Sequence, residues 1–557
     1  MKSVINISAE PRPVFVSNAL WRSLAVRLCS GLLPLVLAAC GGGGGGGGDS
    51  SNPTPPPIGA APTPGTGLLA SSTLAQRCAP DNVHAPGSSK TGSLTVEKQW
   101  VRSYVDEAYL WPDEVPTVDA NAADYSGSDV AKALDNYFEA LKSPRLTDSG
   151  ARRDQFSFTM PTAEWKARSE SGVEGGYGIE WSLGARKPPR RIRIASVEPG
   201  SPAAVAGLQR GDEVKFVDGV SADVADALGV DRLNEALLPT ALNVPHAFSF
   251  SRPGTGTFSQ TLISANIAKT PVPLRQVLTA ADGARVGYVL FNDHILPAEA
   301  QLIEAFNYLK SQSVTDLVLD LRYNGGGYLF IASELAYMIA GQARVGSQVF
   351  ERLSYNSKRT AQANNTPFYN TSCLLVSNKC TSQQPLPSLN LTRVFVLTQS
   401  GTCSASESVI NGLRGVGVEV IQIGGKTCGK PYGFTAKDNC GISYFPIEFV
   451  GANAQGFGDY SDGFEPVAAA LSSGRKLPGC AVDDDFAHAL GDSAEAMLAG
   501  AMRYRSTGFC PPLTGTSASL RKAQAALLGE GEGAGAGAVP LDLKRSPARD
   551  NRIVGGR

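Results

Sequence analysis

The chain has 557 residues, of which 42% are hydrophobic, so it is long enough to form two to four domains that each bury a core. Fifty lysines and arginines stand against 51 acidic residues, and this near balance gives none of the excess positive charge that a nucleic-acid partner would require. After the first 40 residues, no apolar stretch approaches the length of a membrane span.

The N-terminus has the pattern of a secretory signal peptide, predicted to cover residues 1–39. Three arginines precede the short apolar run LCSGLLPLVLAAC, namely Arg12, Arg22 and Arg27. The ending LAAC resembles the lipobox of bacterial lipoproteins, which implies cleavage before Cys40 and acylation of that cysteine. An ordinary signal peptide with an incidental cysteine is the alternative. We therefore expect a lipid anchor in a bacterial cell envelope, facing the periplasm or the cell surface. For a Gram-negative source, Gly41 in place of aspartate favours the outer membrane.

Two segments have compositions that cannot build a core. Eight consecutive glycines at residues 41–48 are followed by the proline-rich DSSNPTPPPIGAAPTPGTG, and residues 40–90 are predicted to form a tether. At the other end, residues 515–557 begin as a possible helix and continue as a run of glycine and alanine. This C-terminal segment is predicted to be disordered.

Eight cysteines follow Cys40, and an even number in an exported chain favours disulfides. Eight cysteines allow 105 pairings, so the sequence does not assign them. The pairs Cys373/Cys380 and Cys428/Cys440 are close enough along the chain to be local candidates. A zinc site is the alternative, but no CxxC pair with a histidine partner supports it, and no metal or other cofactor is expected.

Residues 91–171 are predicted to form an N-terminal helical domain. The segments KQWVRSYVDEAYLWPDEVP and VAKALDNYFEALKSP place apolar residues at helical spacing, and the first is expected to end at Pro112.

Residues 172–268 change to short alternating runs separated by glycine and proline, which are typical of strands and turns. The segments GYGIEW and GSPAAVAGLQRGDEVKFVDG resemble a PDZ domain. In such a domain a peptide adds to a sheet edge and backbone amides capture its carboxylate. The resemblance assigns that loop to Tyr177, Gly178 and Ile179, whereas a PDZ-like fold used only for packing is the alternative.

Residues 269–514 alternate between strand and helix patterns, which predicts an α/β core. Two of its segments have chemical interest. In DLRYNGGGYL a strand enters three glycines, which allow a close backbone approach to a ligand, and no GK[ST] follows to make a nucleotide loop. In GTCSASESVINGL a helix begins near Ser404, whose hydroxyl lies at a helix N-terminus that favours negative charge; alternatively, Ser404 and Glu407 form only a capping box.

A third segment, GGKTCGKPYGF, places Lys430 just after a predicted strand. An exposed surface lysine is the ordinary interpretation of such a residue. A buried lysine differs, because desolvation lowers its pKa and frees the amine to act as a base.

Together these segments resemble the carboxy-terminal processing peptidases, also called tail-specific proteases, over roughly residues 95–510. The resemblance implies a crotonase/ClpP-like α/β protease core with an inserted PDZ-like domain and an N-terminal helical domain. It assigns the nucleophile to Ser404 rather than Ser406 and the base to Lys430. It assigns the two oxyanion-hole amides to Gly327 and Ala405.

The implied function is that of an exported serine endopeptidase with a Ser–Lys mechanism and no need for ATP. Its partners would be proteins or peptides with exposed C-termini. A catalytically inactive PDZ scaffold or binding lipoprotein of the envelope is the competing hypothesis.

The chain departs from the family pattern near the site. Phe434 stands where the family often has a glutamine that orients the lysine, Pro431 replaces a glycine, and Cys403 replaces a small residue. The spacing from the serine to the lysine is one residue longer than usual. Two weaker enzymatic alternatives are a Ser-His-Asp triad with His294 and Asp293, and cysteine catalysis through Cys403.

Overall fold

The structure, a computed structural model, describes residues 67–376, 379–468, 474–512, 538–543, 546 and 552–553. The predicted signal peptide, the lipidation candidate Cys40 and the glycine run lie outside these residues. No helix in the described part of the chain combines the length and the apolar character needed to cross a bilayer.

The first part of the fold is mainly helical and agrees with the predicted helical domain. Its elements are α1 (Ser71–Leu74), α2 (Leu94–Ala108), α3 (Val130–Ala140), β1 (Phe158–Pro161) and α4 (Thr162–Ser171). Helix α2 begins where the Ser93 side chain accepts the N–H of Val96, a standard N-cap contact. It ends at Ala108 rather than at Pro112, where a separate 3-10 turn begins.

Residues 67–90 pack on this helical part, so the predicted tether at residues 40–90 extends too far. The backbone N–H and the hydroxyl of Ser71 both donate to the Glu107 carboxylate of α2. Cys78 forms a disulfide with Cys440. These contacts hold the segment on the folded body, although its composition alone gives no sign of them.

The second part is the predicted PDZ-like domain. Its elements are β2 (Val173–Gly176), β3 (Ile179–Leu183), β4 (Ile192–Val197), α5 (Pro202–Val205), β5 (Glu213–Val217), β6 (Val220–Ser221), α6 (Ala227–Leu237), β7 (Pro245–Arg252), β8 (Gly256–Ile263) and β9 (Ala265–Ala268). The main sheet has the order β3-β4-β5-β7-β8, with β6 paired to β5. Strands β2 and β9 pair antiparallel where the chain enters and leaves the domain. The aromatic core contains Trp181, Phe248 and Phe250, each at most 2% exposed.

The third part is the α/β core. Its first elements are β10 (Leu274–Thr279), β11 (Arg285–Leu290), α7 (Ala298–Ser311), β12 (Asp316–Asp320), β13 (Gly327–Tyr328), α8 (Leu329–Ala340), α9 (Gln342–Val345), β14 (Val349–Tyr355), β15 (Asn364–Pro367), β16 (Leu374–Val376) and β17 (Lys379–Ser382). There follow β18 (Arg393–Thr398), α10 (Ala405–Gly415), β19 (Glu419–Gly424), β20 (Tyr432–Gly433), β21 (Lys437–Asn439), β22 (Ile442–Phe445), β23 (Phe449–Ala452), β24 (Glu465–Val467), β25 (Lys476–Ala481) and α11 (Ala496–Thr507).

A seven-stranded sheet organises this core, with the order β10-β11-β12-β18-β19-β25-β24. Strand β10 is antiparallel to β11, and the pairs from β11 onward are parallel. Strands β12, β18 and β19 are therefore adjacent and point the same way. Loops at the carboxyl ends of adjacent parallel strands meet at one sheet edge, which is where open α/β sheets bind ligands. The three segments singled out in the sequence are these three loops.

Part of the predicted disordered tail is placed on the fold, which corrects the prediction for residues 538–543, 546 and 552–553. Leu541 is fully buried in the apolar core of the PDZ-like domain. Arg552–Ile553 forms a short strand, β26, that pairs with β13. The other residues of the predicted tail, which starts at residue 515, lie outside the described residues.

Candidate active site

The three loops after β12, β18 and β19 are joined by backbone hydrogen bonds. The carbonyl of Asn324, in the glycine loop, accepts the N–H of Cys403 at 3.0 Å. The same carbonyl accepts the hydroxyl of Ser406 at 3.0 Å. In the third loop the N–H of Cys428 donates to the carbonyl of Thr402 at 3.0 Å. The predicted site segments therefore form one structural unit.

Ser404 occupies a strained position at the start of α10. Its backbone has φ 60° and ψ −112°, and a residue with a side chain seldom adopts positive φ. Its side chain is buried, and the first helical residue is Ala405. The first N–H groups of a helix have no partner within it and attract negative charge. Ser406, the nearby alternative, instead uses its hydroxyl to hold the glycine loop.

The buried carboxylate of Glu407 connects the serine loop to the lysine loop. One oxygen accepts the backbone N–H of Ser404 at 3.0 Å and that of Lys430 at 2.8 Å. The other oxygen accepts the N–H of Gly429 at 2.9 Å and the hydroxyl of Thr427 at 2.6 Å. Burial raises the pKa of Glu407, and these hydrogen bonds offset only part of that effect. The capping-box glutamate thus fixes two candidate catalytic residues at once.

A disulfide between Cys403 and Cys428 makes a second link between the same loops. The local pair Cys373–Cys380 is confirmed, but the predicted pair Cys428/Cys440 is wrong, because Cys440 bonds to Cys78. The remaining bridge joins Cys480 to Cys510. The Sγ atoms of Cys403 and Cys428 lie near Glu407 as a metal cluster would require. Both are consumed in the disulfide and offer no thiolate for zinc or for nucleophilic attack.

Lys430 is fully buried between two aromatic rings. Its Nζ atom lies 4.6 Å from the ring centroid of Phe434 and 4.9 Å from that of Phe156. Phe434 therefore places a ring face, rather than a side-chain amide, beside the amine. Loss of water disfavours an ammonium ion, whereas the ring faces favour one.

The glycine loop has backbone angles that demand glycine. Gly327 has φ 138°, and a Cβ there would lie 2.4 Å from the carbonyl oxygen of His294. The N–H of Tyr328 donates to that carbonyl at 2.8 Å. The backbone of Gly327, the predicted oxyanion donor, thus lies against the backbone of His294. Gly327 belongs to the glycine loop, whose Asn324 carbonyl accepts hydrogen bonds from Cys403 and Ser406.

His294 does not belong to a Ser-His-Asp triad with Asp293. Its Nδ1 donates to the side-chain oxygen of Asn324 at 2.9 Å, while Asp293 forms an ion pair with Arg168 at 3.2 Å. The side-chain oxygen of Asn324 also accepts the N–H of Gly326. Burial lowers the pKa of His294 to about 3, so the ring is neutral. Its observed contact is with the glycine loop.

Charged side chains hold the glycine loop to its surroundings. Fully buried Arg322 pairs with Asp320, Asp484 and Glu495 at 2.8–2.9 Å. From the PDZ-like domain, Arg210 donates to the hydroxyl of Tyr323 at 2.6 Å and pairs with Asp484. Burial alone would raise the pKa of Asp484, but the two arginines outweigh it and lower the pKa.

The predicted carboxylate-binding loop lines a cleft of 580 Å³ between the PDZ-like domain and the core. Tyr177, Gly178 and Ile179 form one wall with the end of α6, and Tyr323 of the glycine loop contributes to another. Gly178 has φ 76°, and a Cβ there would lie 2.3 Å from the side chain of Ser201, so only glycine fits. Lys269 also lines the cleft. Burial by itself would lower the pKa of Lys269, but the negative charges of Glu198 and Glu174 have the larger effect, and the pKa is raised.

Sequence analysis missed three contributors to this site. The capping-box pattern identified Glu407 only as a local partner of Ser404, and its bonds to residues 427–430 span 20 to 23 positions. Asn324 lies in the DLRYNGGG segment that the sequence analysis singled out, but no role was predicted for it. Nothing in the sequence pointed to Phe156, since this residue comes from the helical domain.

Comparison with known proteins agrees with this arrangement. The sequence model of peptidase family S41 matches residues 285–437, and that of the peptidase S41 N-terminal domain matches residues 97–158. A PDZ domain model matches residues 167–240.

Similar curated proteins include a carboxyl-terminal-processing protease of Picosynechococcus sp., 27% identical over 263 residues, which are 47% of this chain and 56% of that protein. Carboxy-terminal processing protease CtpB of Bacillus subtilis is 24% identical over 358 residues, 63% of this chain and 64% of that protein. The alignments thus span less than two thirds of either relative. A putative S41 protease from Bacteroides fragilis has the same fold, with a TM-score of 0.54 and 23% identity over 73% of this chain and 97% of that one. The chain belongs to the carboxyl-terminal-processing group of peptidase family S41 and carries that group's PDZ domain.

Proposed function

We propose that the protein is an exported serine endopeptidase that cleaves proteins recognised by their C-terminal tails, with Ser404 as nucleophile and Lys430 as base. The observation that carries this proposal is the joint fixation of both residues by the Glu407 carboxylate and the Cys403–Cys428 disulfide. Ser404 and Glu407 do form the capping box, but a serine with a strained backbone at a helix N-terminus, tied to a buried lysine, also supports nucleophilic catalysis.

The proposed reaction follows from these positions. The neutral amine of Lys430 takes the hydroxyl proton of Ser404, whose oxygen attacks the scissile carbonyl carbon. The N–H groups of Gly327 and Ala405 stabilise the resulting oxyanion, each by about 3 kcal/mol. Lys430 then protonates the leaving amine, and water hydrolyses the acyl-enzyme to restore the serine. None of these steps uses ATP.

The PDZ-like domain supplies the proposed selection of substrates. A free C-terminus would enter the cleft at Tyr177, Gly178 and Ile179, where backbone N–H groups capture a carboxylate. The same cleft reaches Tyr323 of the glycine loop, so a bound chain lies beside the proposed catalytic loops. Protein or peptide substrates with exposed C-termini fit this arrangement.

Export and lipid anchoring at Cys40 are part of the same proposal. The signal-like N-terminus supports it, as does the pairing of all eight later cysteines in disulfides, which form and persist in oxidising compartments. We place the protein in the bacterial cell envelope, with the outer membrane as the favoured site.

A second candidate function is an inactive PDZ scaffold of the envelope. The aromatic faces beside the Lys430 amine favour this alternative, because rings cannot orient a base as a side-chain amide does and they stabilise its protonated form.

The test is cleavage of an unstructured protein with a free apolar C-terminus by the purified full chain in detergent, with EDTA and without ATP. We expect cleavage by the parent and at least a ~10³-fold lower rate in Ser404→Ala and Lys430→Ala. Ser406→Ala and the exposed Lys426→Ala are matched controls that should retain more than about a tenth of the rate. If parent and variants are equally inert but bind the tail equally well, the scaffold function replaces the peptidase.

A further inference from the structure

The C-terminal segment of the chain contacts the PDZ-like domain first. The N–H of Leu541 donates to the carbonyl of Arg186 at 2.8 Å, and Asp542 forms an ion pair with the Arg186 side chain. The guanidinium of Arg190 donates to the carbonyl of Val539 at 2.7 Å. Leu541 has no exposed surface and packs in the apolar core of the domain. This part of the segment is anchored by specific contacts.

Two further described parts of the segment, Ser546 and Arg552–Ile553, lie at the proposed substrate cleft and against the glycine loop. Ser546 lines the cleft together with the carboxylate-binding loop. Strand β26 pairs parallel with β13, placing Arg552 opposite Gly327 and Ile553 opposite Tyr328. Ile553 also forms a parallel bridge with Phe434. Its backbone therefore lies between the backbone of Gly327–Tyr328 and that of Phe434.

The side chain of Ile553 fills an apolar site. It is 3% exposed and belongs to the same apolar cluster as Tyr328 and Phe434. Burying a branched aliphatic side chain of this size removes apolar surface from water and so stabilises the docked segment. A chain segment that pairs by its backbone with the proposed oxyanion loop and buries one side chain there has the binding mode of a protease substrate.

We propose that the C-terminal segment, through Leu541, Arg552 and Ile553, is a substrate mimic bound in cis. The site it marks takes an extended peptide parallel to Gly327–Tyr328 with a branched aliphatic side chain in the place of Ile553. Because the segment is part of the same chain, its effective concentration is in the millimolar range, and it competes with incoming substrates. This inference rests on the proposed peptidase function and names the substrate site.

The test measures binding in the Ser404→Ala background, using the full chain in detergent, so that cleavage plays no part. The probe is a fluorescein-labelled peptide of residues 546–557, SPARDNRIVGGR, followed by anisotropy. Ile553→Asp in the full chain should vacate the site, because a charge is expelled from an apolar pocket. We expect the probe to bind this variant at least ~10-fold more tightly than the chain with its own tail intact.

A control variant, a second variant of Ile553 and a control probe complete the experiment. Pro540→Asp adds the same charge at an exposed position of the segment and should leave probe binding as in the parent. Ile553→Ala, a milder change, should give an intermediate gain, and it keeps the test valid if the aspartate variant fails to fold. A probe with Asp in place of Ile553 should bind none of the chains.

Equal probe affinity for the parent and both Ile553 variants overturns the inference, as does no binding to the vacated chain. Failure of the peptidase proposal is distinguishable, because it appears as absent cleavage by the parent while the tail still competes for the probe.

Discussion

At the scale of single residues, Glu407 joins the serine loop to the lysine loop. It accepts the backbone N–H groups of Ser404, Gly429 and Lys430. A carboxylate can accept from all of these donors, whereas a glutamine presents an NH2 group to at least one of them. Its role is to position the two proposed catalytic residues, since its hydrogen bonds are to backbone N–H groups and the Thr427 hydroxyl and not to a reacting atom.

Glu407→Gln should therefore lower kcat by about 10- to 100-fold with little change in KM, and lower the free energy of unfolding by about 1–3 kcal/mol. Glu419→Gln, at an exposed glutamate that begins β19, is the control and should change neither. Steady-state kinetics and urea denaturation check both values. A loss of stability with unchanged kcat would show that Glu407 is structural only.

His294 gives a pH prediction at the same scale. Its pKa is about 3 in the folded chain and 6.5 in its ordinary state, so between these values the unfolded chain binds a proton that the folded chain does not. The free energy of unfolding should therefore fall as pH is lowered from about 6.5 towards 3, by up to about 1.4 kcal/mol per pH unit. His294→Gln should flatten this slope in urea titrations at several pH values. The exposed His84→Gln should keep the parental slope, and identical slopes in all three chains would contradict the prediction.

At the scale of elements, the disulfide Cys403–Cys428 joins the loops that follow β18 and β19. It joins cysteines 25 positions apart in the sequence. Closing such a loop lowers the conformational entropy of the unfolded chain and thereby raises the free energy of unfolding by about 3 kcal/mol. The bridge Cys480–Cys510, with a separation of 30, should contribute a similar amount but joins β25 to the segment after α11. The two bridges therefore form a natural pair for comparison.

Replacing both Cys403 and Cys428 by serine should lower the free energy of unfolding by about 2–4 kcal/mol and lower kcat by at least ~10-fold. Replacing Cys480 and Cys510 should lower stability by a similar amount while kcat stays within about twofold. Thermal denaturation and kinetics measure both effects. Equal kcat in the two double variants would refute a positioning role for the first bridge.

At the scale of the whole molecule, the helical domain and the core share one packed interface. Trp100 of α2 is 1% exposed, and its ring lies 4.9 Å from that of Tyr444 in β22. The hydroxyl of Tyr104 donates to Glu448 at 2.6 Å, and Cys78 bonds to Cys440. We expect the helical domain and the core to unfold together.

Trp100→Ala should accordingly lower the free energy of unfolding by about 3–5 kcal/mol, because it removes a large buried ring. Urea transitions followed by circular dichroism and by loss of cleavage should coincide and shift together. Tyr308→Ala, at a 38% exposed position, should change stability by no more than about 0.5 kcal/mol. Separate transitions for the two probes would mean that the helical domain is an independent unit.

The sequence by itself determined the elements and the candidate chemistry. Local periodicity and turn residues predict β12, β18, β19 and α10, because these depend on neighbours within a few positions. Glycine requirements in the DLRYNGGG loop and the serine at a helix start are likewise local. The composition of residues 67–90 wrongly predicted a tether, since one disulfide and the carboxylates of Glu97 and Glu107 hold that segment on the fold.

Only the tertiary structure decided which distant parts meet. The order of strands in the sheet brings three loops together, and Glu407 and the Cys403–Cys428 bridge then join two of them. Phe156 and Phe434 surround the Lys430 amine, and Ile553 docks between Tyr328 and Phe434. These contacts join residues that are between 4 and over 270 positions apart in the sequence. Most of them depend on burial and on the order of strands in the sheet, which local sequence patterns do not encode.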